Sequence, residues 1–295
     1  MDNVLITGGS GTLGHALVAR WYGNTDITIY SRSELLQAKM RAKYPKCRFI
    51  LGDVRDYPLL SSAIAGHDTV IHAAAMKRIP ECEQWPGLCN EVNVIGSEYV
   101  ARACGANNVT RCVGISTDKA CLPITAYGAS KLAMEKIFQA RTESDTIFTL
   151  VRYGNVLESR GSVVELWRNQ ATNGGPITIT DRLMSRFWLT PGNAARYAEL
   201  ALGLAQGEIY VPKLQAAFIG DMAKWIAPHA EVYEIGLRSQ ERYHEYLVSG
   251  EERGEEYDDH FIIGHIDMAL DDYTSANCDR LSQGEFMGMW SEVNE

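Results

Sequence analysis

The chain has 295 residues, 46% hydrophobic and 22% charged, enough for one large globular domain or two intimate ones with a sizeable core. Its formal charge of −9 disfavours a general nucleic-acid binder, and no apolar run approaches the roughly 18 residues that a spanning helix needs. Seven cysteines without a Cys-x-x-Cys pair argue against a disulfide framework or a zinc cluster, so no metal site and a reducing, cytoplasmic setting are expected.

The first predicted strand, "NVLITG" (3–8), has no basic stretch before it, and no secretory leader is expected. It runs into "TGGSGTLG", where Gly8, Gly11 and Gly14 recur every third residue. Such spacing serves a tight turn, close backbone approach to a pyrophosphate, and close helix–strand packing. The helix "TLGHALVARWYG" then offers unpaired N–H groups and a positive dipole end to the phosphates. Ser10, Thr12 and Leu13 lie among these glycines and join the candidate cofactor set. The bland alternative is a tight turn that binds nothing.

The second strand, "ITIYSR" (27–32), ends at Ser31, Arg32 and Ser33. An acidic residue at this tip would suit the ribose 2′-OH of NAD, whereas arginine suits a 2′-phosphate, so NADP is expected rather than NAD. The third, "RFILGD" (48–53), ends at Asp53, followed by Val54. Asp53 is expected to accept from an adenine amine, with a helix-capping aspartate as the alternative. The fourth, "TVIHAA" (69–74), closes on His72, Ala73 and Ala74, small residues that leave room above the sheet. His72 reads equally as a hydrogen-bonded core histidine.

"RCVGIST" (111–117) and "FTLVRYG" (148–154) are the fifth and sixth strands. Helical patterns fall between the strands, including "YPLLSSAIAG", "GLCNEVNVIGSEYVARACGA" and "TAYGASKLAMEKIFQART". Nearly all-apolar strands alternating with helices imply an α/β doubly wound parallel sheet. After about residue 157 the pattern loosens into a helix at "GSVVELWRNQATNGG", a strand at "PITIT", a proline-started helix at "PGNAARYAELALGLAQG" and a strand at "EIYVP". The acidic "GEERGEEYDD" (250–259) reads as a solvated loop. This places a Rossmann cofactor domain at 1–157 plus roughly 186–212, and a smaller substrate domain at roughly 158–185 and 213–295.

The stretch "STDKACLPITAYGASK" (116–131) concentrates the chemistry. Tyr127 and Lys131 are four apart on a predicted helix and share a face; no other tyrosine in the chain has a lysine at that spacing. A nearby ammonium lowers a phenol's pKa, and a phenolate beside an oxidised nicotinamide can take the proton of a sugar hydroxyl. Asp118 and Lys119, taken alone, read equally as a strand-end ion pair.

"TGGSGTLG" with "YGASK" resembles the short-chain dehydrogenase/reductase superfamily in its extended form, which acts on nucleotide sugars. More narrowly, "HAAAMKRIPECE", "NEVNVIGS", "STDKA", "VRYGNVLESRGSVV", "SRFWLT", "GEIYVPK" and "GLRSQERYHE" are similar to the inverting UDP-N-acetylglucosamine 4,6-dehydratases of polysaccharide biosynthesis. The likeness runs from about residue 3 to residue 247, and "DYTSANCDRLSQGEF" resembles the family tail. It implies that Thr117 polarises the sugar O4 and that Tyr127 and Lys131 serve C4 oxidation. Neutral Lys119 would remove the C5 proton, its pKa lowered by burial beside Lys131, and protonated Asp118 would donate to the departing C6 hydroxyl. Lys77 would lie near nicotinamide and sugar. Asn155, Arg160, Arg186, Arg238 and Glu241 would line the UDP-sugar cleft, the arginines suiting a diphosphate. Asn93 and His244 fall in family motifs without an assigned role.

The family's "RPGEKLHE" reads "RSQERYHE" here, so Ser239 and Gln240 replace a Pro-Gly turn beside the uridine. The implied partners are UDP-N-acetylglucosamine and a second copy of the chain, with no nucleic acid or membrane. The rival readings are a UDP-sugar 4-epimerase, a retaining 4,6-dehydratase, and a non-catalytic cofactor-sensing relative, which would usually have lost the tyrosine or the lysine.

Overall fold

The computed structural model describes residues 1–159, 161–264 and 266–294. Its first half alternates β1 (Asn3–Thr7), α1 (Thr12–Trp21), β2 (Asp26–Ser31), α2 (Glu34–Lys43), β3 (Arg48–Leu51), α3 (Tyr57–Ile64) and β4 (Thr69–His72). Helices α4 (Ile79–Gln84) and α5 (Pro86–Asn90), a π turn (Glu91–Ile95) and α6 (Gly96–Ala106) lead to β5 (Arg111–Ile115). A 3-10 turn (Asp118–Ala120), α7 (Ala126–Gln139) and β6 (Ile147–Val151) follow. Then come β7 (Asn155–Val156), α8 (Val163–Thr172), β8 (Ile177–Ile179), β9 (Ser185–Leu189), α9 (Pro191–Ala201) and β10 (Ile209–Pro212). The chain closes with β11 (Ala216–Phe218), α10 (Ile219–Ile226), β12 (Val232–Glu234), β13 (Tyr246–Val248), β14 (Gly254–Glu256), β15 (His260–Ile263), β16 (Tyr273–Thr274) and α11 (Gln283–Asn294).

Val4, Leu5 and Ile6 are fully buried, as a strand covered by helices on both faces requires. Among the described residues the largest sheet runs β14-β15-β10-β6-β5-β4-β1-β2-β3. The strands from β3 through β10 pair in parallel, whereas β15 runs antiparallel to β10 and β14 antiparallel to β15. Strand order reverses between β1 and β4, which opens a crevice beyond their carboxyl ends.

Two glycines make the first turn possible. Gly8 has φ +66°, and a Cβ there would lie 2.8 Å from the Ala74 backbone. A Cβ on Gly14 would lie 1.9 Å from the Gly9 carbonyl oxygen, so α1 packs on its own entry loop only without one.

The predicted helix over 87–106 is interrupted by the π turn, which carries Asn93 inward. The Asn93 amide donates to the Met76 carbonyl at 2.8 Å and to Ser130 Oγ at 2.9 Å, while its oxygen accepts from the Met76 N–H at 2.7 Å. It therefore ties the loop after β4 to α7. A π segment at such a junction is a familiar way of turning one side chain out of helical register.

A second apolar cluster, with Trp167, Ile177, Met184, Trp188, Met222 and Phe286, lies beside the main core. β9 serves both, Phe187 and Leu189 packing in the main core and Trp188, with Met184 just before the strand, in the smaller one. The domain boundary read from sequence differs from this division. β14 and β15, assigned to the substrate domain, complete the edge of the large sheet, and Leu247, Val248 and Phe261 pack in the main core. The acidic 250–259 stretch is not a solvated loop: it holds the edge strand β14, and Glu252 turns inward to accept from Arg152 at 2.8 and 2.9 Å. Among the described residues no helix is long and apolar enough to cross a membrane.

Candidate active site

A cleft of about 1600 Å³ runs along the carboxyl ends of the parallel strands. Gly8, Ser10, Gly11, Thr12, Leu13 and Gly14 form one end of it. Gly11 caps α1 without a side-chain hydrogen bond, and the first turn has no acidic residue. Gly11, Thr12, Leu13 and Gly14 line the cleft, so the positive end of α1 is turned toward it, the arrangement that accepts a phosphate.

At the tip of β2, Ser31 Oγ accepts from Gln37 Nε2 at 3.1 Å, and the half-exposed Arg32 lines the cleft. Asp53, expected as an adenine acceptor, is engaged by two arginines. Its carboxylate accepts from the Arg55 N–H at 3.0 Å, Nε at 3.1 Å and Nη2 at 2.8 Å, and lies 3.6 Å from Arg32. The Arg55 hydrogen bonds hold it below the usual carboxylate range despite partial burial. Gly52 and Val54, on either side, face the cleft. Ala73, Ala74 and Lys77 line the crevice after β4. His72 lies beneath, bonded to Thr7 Oγ1 at 2.8 Å and Ser97 Oγ at 2.9 Å. Burial and the Lys131 charge push it down to about 3, so it is a neutral core histidine.

β5 delivers Ser116 and Thr117 to the cleft, and Thr117 caps the 3-10 turn that carries Asp118 and Lys119. Lys119 Nζ donates to Asp118 Oδ1 at 3.0 Å and Oδ2 at 2.9 Å, and to Asn155 Oδ1 at 3.3 Å. Thr117 Oγ1 donates to Asp118 Oδ1 at 2.8 Å. Thr125 caps α7 through the Gly128 N–H, and Glu83 Oε1 accepts from the Ala126 N–H, which fixes the helix that presents Tyr127 and Lys131.

The electrostatics differ from the sequence expectation at two points. Tyr127 is pushed up, because burial and the Asp118 carboxylate disfavour a phenolate. The Lys131 ammonium points to Met134 Sδ at 3.0 Å, and burial brings it down to about 8. Lys119 is not lowered. Burial pushes it down, but the Asp118 and Glu245 carboxylates outweigh burial and hold the ammonium above its ordinary value. Asp118 is raised by burial and by Glu245, against the pull of Lys119.

Glu245 was absent from the candidate set, although the motif "RSQERYHE" contains it. It is buried, with Oε1 3.4 Å from Lys119 Nζ and 3.5 Å from Arg186 Nε. Arg186 lines the cleft, but its guanidinium is largely used internally, donating to the carbonyls of Ser185, Tyr243 and Arg242 at 2.7–3.2 Å. It ties β9 to the 242–245 loop rather than standing free for a diphosphate. Arg238 is the more available cation, exposed in the cleft wall and 3.7 Å from Glu241. Asn155, expected against the substrate, accepts from Lys119. His244 bonds Ser185 Oγ at 2.8 Å, outside the reaction centre. Arg160 lies outside the described residues.

A phosphate-accepting glycine turn at the strand-order switch, with a tyrosine and a lysine on the helix after β5, defines an extended short-chain dehydrogenase/reductase. The chain belongs to the polysaccharide biosynthesis protein family, whose model matches residues 4–265. It is 40% identical over 261 residues to the UDP-N-acetylglucosamine 4,6-dehydratase (inverting) of Campylobacter jejuni, covering 85% of this chain and 78% of that one. It is 37% identical to the UDP-glucose 4-epimerase of Rickettsia bellii, over 96% of this chain and 93% of the relative. The X-ray structure of Pen from Bacillus thuringiensis superposes with a TM-score of 0.92 at 32% identity, covering 99% and 98% of the two chains.

Proposed function

We propose that the protein is an NADP-dependent UDP-N-acetylglucosamine 4,6-dehydratase that inverts C5. The observation that carries this reading is the Asp118–Lys119 pair, a buried carboxylate against an ammonium whose side chain is 16% exposed, next to Thr117 and the Tyr127 helix. A simple 4-epimerase needs no acid and base there, because its chemistry ends at C4.

The glycine turn, Arg32 and the small residues Ala73 and Ala74 fit a dinucleotide with a 2′-phosphate. A nicotinamide held by these residues would supply a reversible hydride acceptor for C4 oxidation and C6 reduction. The chain's own residues manage the protons. Thr117 and Tyr127 meet the C4 hydroxyl; Tyr127, once its phenol has released its own proton to solvent beside the charges of Lys131 and an oxidised nicotinamide, takes the hydroxyl's proton. The ketone so formed acidifies the C5 hydrogen, which Lys119 removes, and Asp118 protonates the leaving C6 hydroxyl. Asp118 is suited to that role because burial raises its proton affinity. Arg238, exposed in the cleft wall, is the cation against which a diphosphate would rest.

The 4-epimerase reading retains one support, the Rickettsia bellii relative matched over nearly the whole chain. Incubation with UDP-N-acetylglucosamine in deuterated water, followed by NMR of the product, separates the two. A dehydratase yields a 4-keto-6-deoxy sugar labelled at an inverted C5. An epimerase leaves C5 unlabelled and C6 hydroxylated, and that result defeats the proposal.

A further inference from the structure

We propose that Glu245 is a positioning residue that, with Asn155, aims the Lys119 nitrogen and confines its proton exchange to Asp118. This rests on the dehydratase reading, in which Lys119 is the C5 base.

An ammonium carries three protons. Lys119 has three groups around it: Asp118 at 2.9–3.0 Å and Asn155 at 3.3 Å accept hydrogen bonds, and the Glu245 carboxylate lies 3.4 Å away as an ion pair. So arranged, the nitrogen has no lone pair to offer, and one proton must leave before it acts as a base. Asn155 cannot take it. Glu245 faces Lys119, Arg186 and Arg242, whose charges outweigh burial and keep its carboxyl below the usual range. Asp118 faces Lys119 and Glu245, lies closest, and is held above its usual range.

The proton therefore passes from Lys119 Nζ to an Asp118 oxygen. One N–H bond breaks, one O–H bond forms, both charges vanish, and no proton is exchanged with solvent. The products of that step are the neutral amine and the neutral acid that C5 deprotonation and C6–O cleavage require. The two remaining Lys119 protons stay on Asn155 and Glu245, which leaves the lone pair on the side vacated. Glu245 can anchor the nitrogen because its own backbone is locked: its N–H donates to Ser275 Oγ at 2.9 Å and its carbonyl accepts from the Ser275 N–H at 2.8 Å. Arg186 fixes the carboxylate from the other side.

The test compares wild-type enzyme with Glu245→Gln, Glu245→Ala and Glu245→Asp, each with NADP and UDP-N-acetylglucosamine in deuterated water. C5 labelling, reduced-nicotinamide absorbance and the pH profile of kcat are read for each. Glu245→Ala is expected to slow C5 labelling about 10²-fold while C4 oxidation and KM hold near wild type. Glu245→Gln keeps an acceptor but loses the charge that stabilises the Lys119 ammonium. Arg186 is then uncompensated beside Lys119, and the acid limb of kcat moves to lower pH by about one unit or more. Glu245→Asp restores the limb in part. Wild-type turnover combined with unaltered C5 labelling and an unmoved limb in the folded Gln variant overturns the role of Glu245 alone. So does a raised KM at unchanged kcat, which would make Glu245 a substrate ligand. Wild-type enzyme that forms no 4-keto-6-deoxy sugar overturns the dehydratase reading itself, and this role with it.

Discussion

The Arg152 guanidinium lies 2.8 Å from the Glu135 carboxylate, and both side chains are only 1% exposed. Glu252 accepts from the same guanidinium on its other side, and Ser116 Oγ donates to Glu135. The arginine thereby joins the end of β6 to α7, the residue next to Thr117, and the edge of the sheet. Removing it leaves two inward-facing carboxylates without a counter-charge. Arg152→Met is expected to lower stability by about 3–5 kcal/mol, read as a drop in the urea midpoint with unchanged slope.

The same network sets an acid limit. Burial pushes the Glu252 carboxyl up, but Arg152 and the hydrogen bonds outweigh it and hold the folded value below the usual range. The stabilisation is then complete above the unfolded value of about 4.3 and is lost as pH falls through the lower folded value. The urea midpoint should decline on acidification below about pH 4.3. In Arg152→Met that decline should shrink or reverse, because the carboxylate there prefers to be protonated.

Gly14→Ala places a methyl 1.9 Å from a backbone oxygen that cannot move away without breaking the turn. A loss of about 1–3 kcal/mol is expected, with weakened dinucleotide binding, as the α1 N-terminus is pushed off its position. Thermal unfolding and dinucleotide titration check both.

Arg32→Ser removes the cation at the β2 tip. With the proposed NADP preference, affinity for the 2′-phosphorylated dinucleotide should fall about tenfold or more, and affinity for NAD should hold. Equal losses for both cofactors would mean that Arg32 does not meet the phosphate. Asp53 tempers the effect, since it already lies 3.6 Å from Arg32.

Lys119→Met and Asp118→Asn should each cut formation of the 4-keto-6-deoxy product by about 10²–10⁴-fold. Reduced nicotinamide should still accumulate in a single turnover, because the proposed C4 oxidation uses Thr117 and Tyr127 rather than this pair. Loss of that signal as well would assign the pair to hydride transfer.

The strands of the large sheet from β1 to β6 were readable within a few residues, since each is an apolar run bounded by turns. Asn93 shows the limit: the helical periodicity from 87 to 106 is smooth in the sequence, and only the neighbouring Met76 loop and Ser130 explain the π turn. Glu252 shows another. A run of acidic residues reads as solvated until Arg152, distant in the chain, supplies a buried partner.

By itself the amino-acid order determined what depends on short-range geometry. That includes the βα alternation, the glycine turn whose backbone tolerates no Cβ, and the four-residue spacing that sets Tyr127 and Lys131 on one helix face. Tertiary structure alone decided the charge state of the reaction centre. Lys119 takes its proton affinity from Asp118 beside it and from Glu245 brought in by the 242–245 loop. Coulomb interaction depends on distance in space and on local burial, and neither quantity is written along the chain.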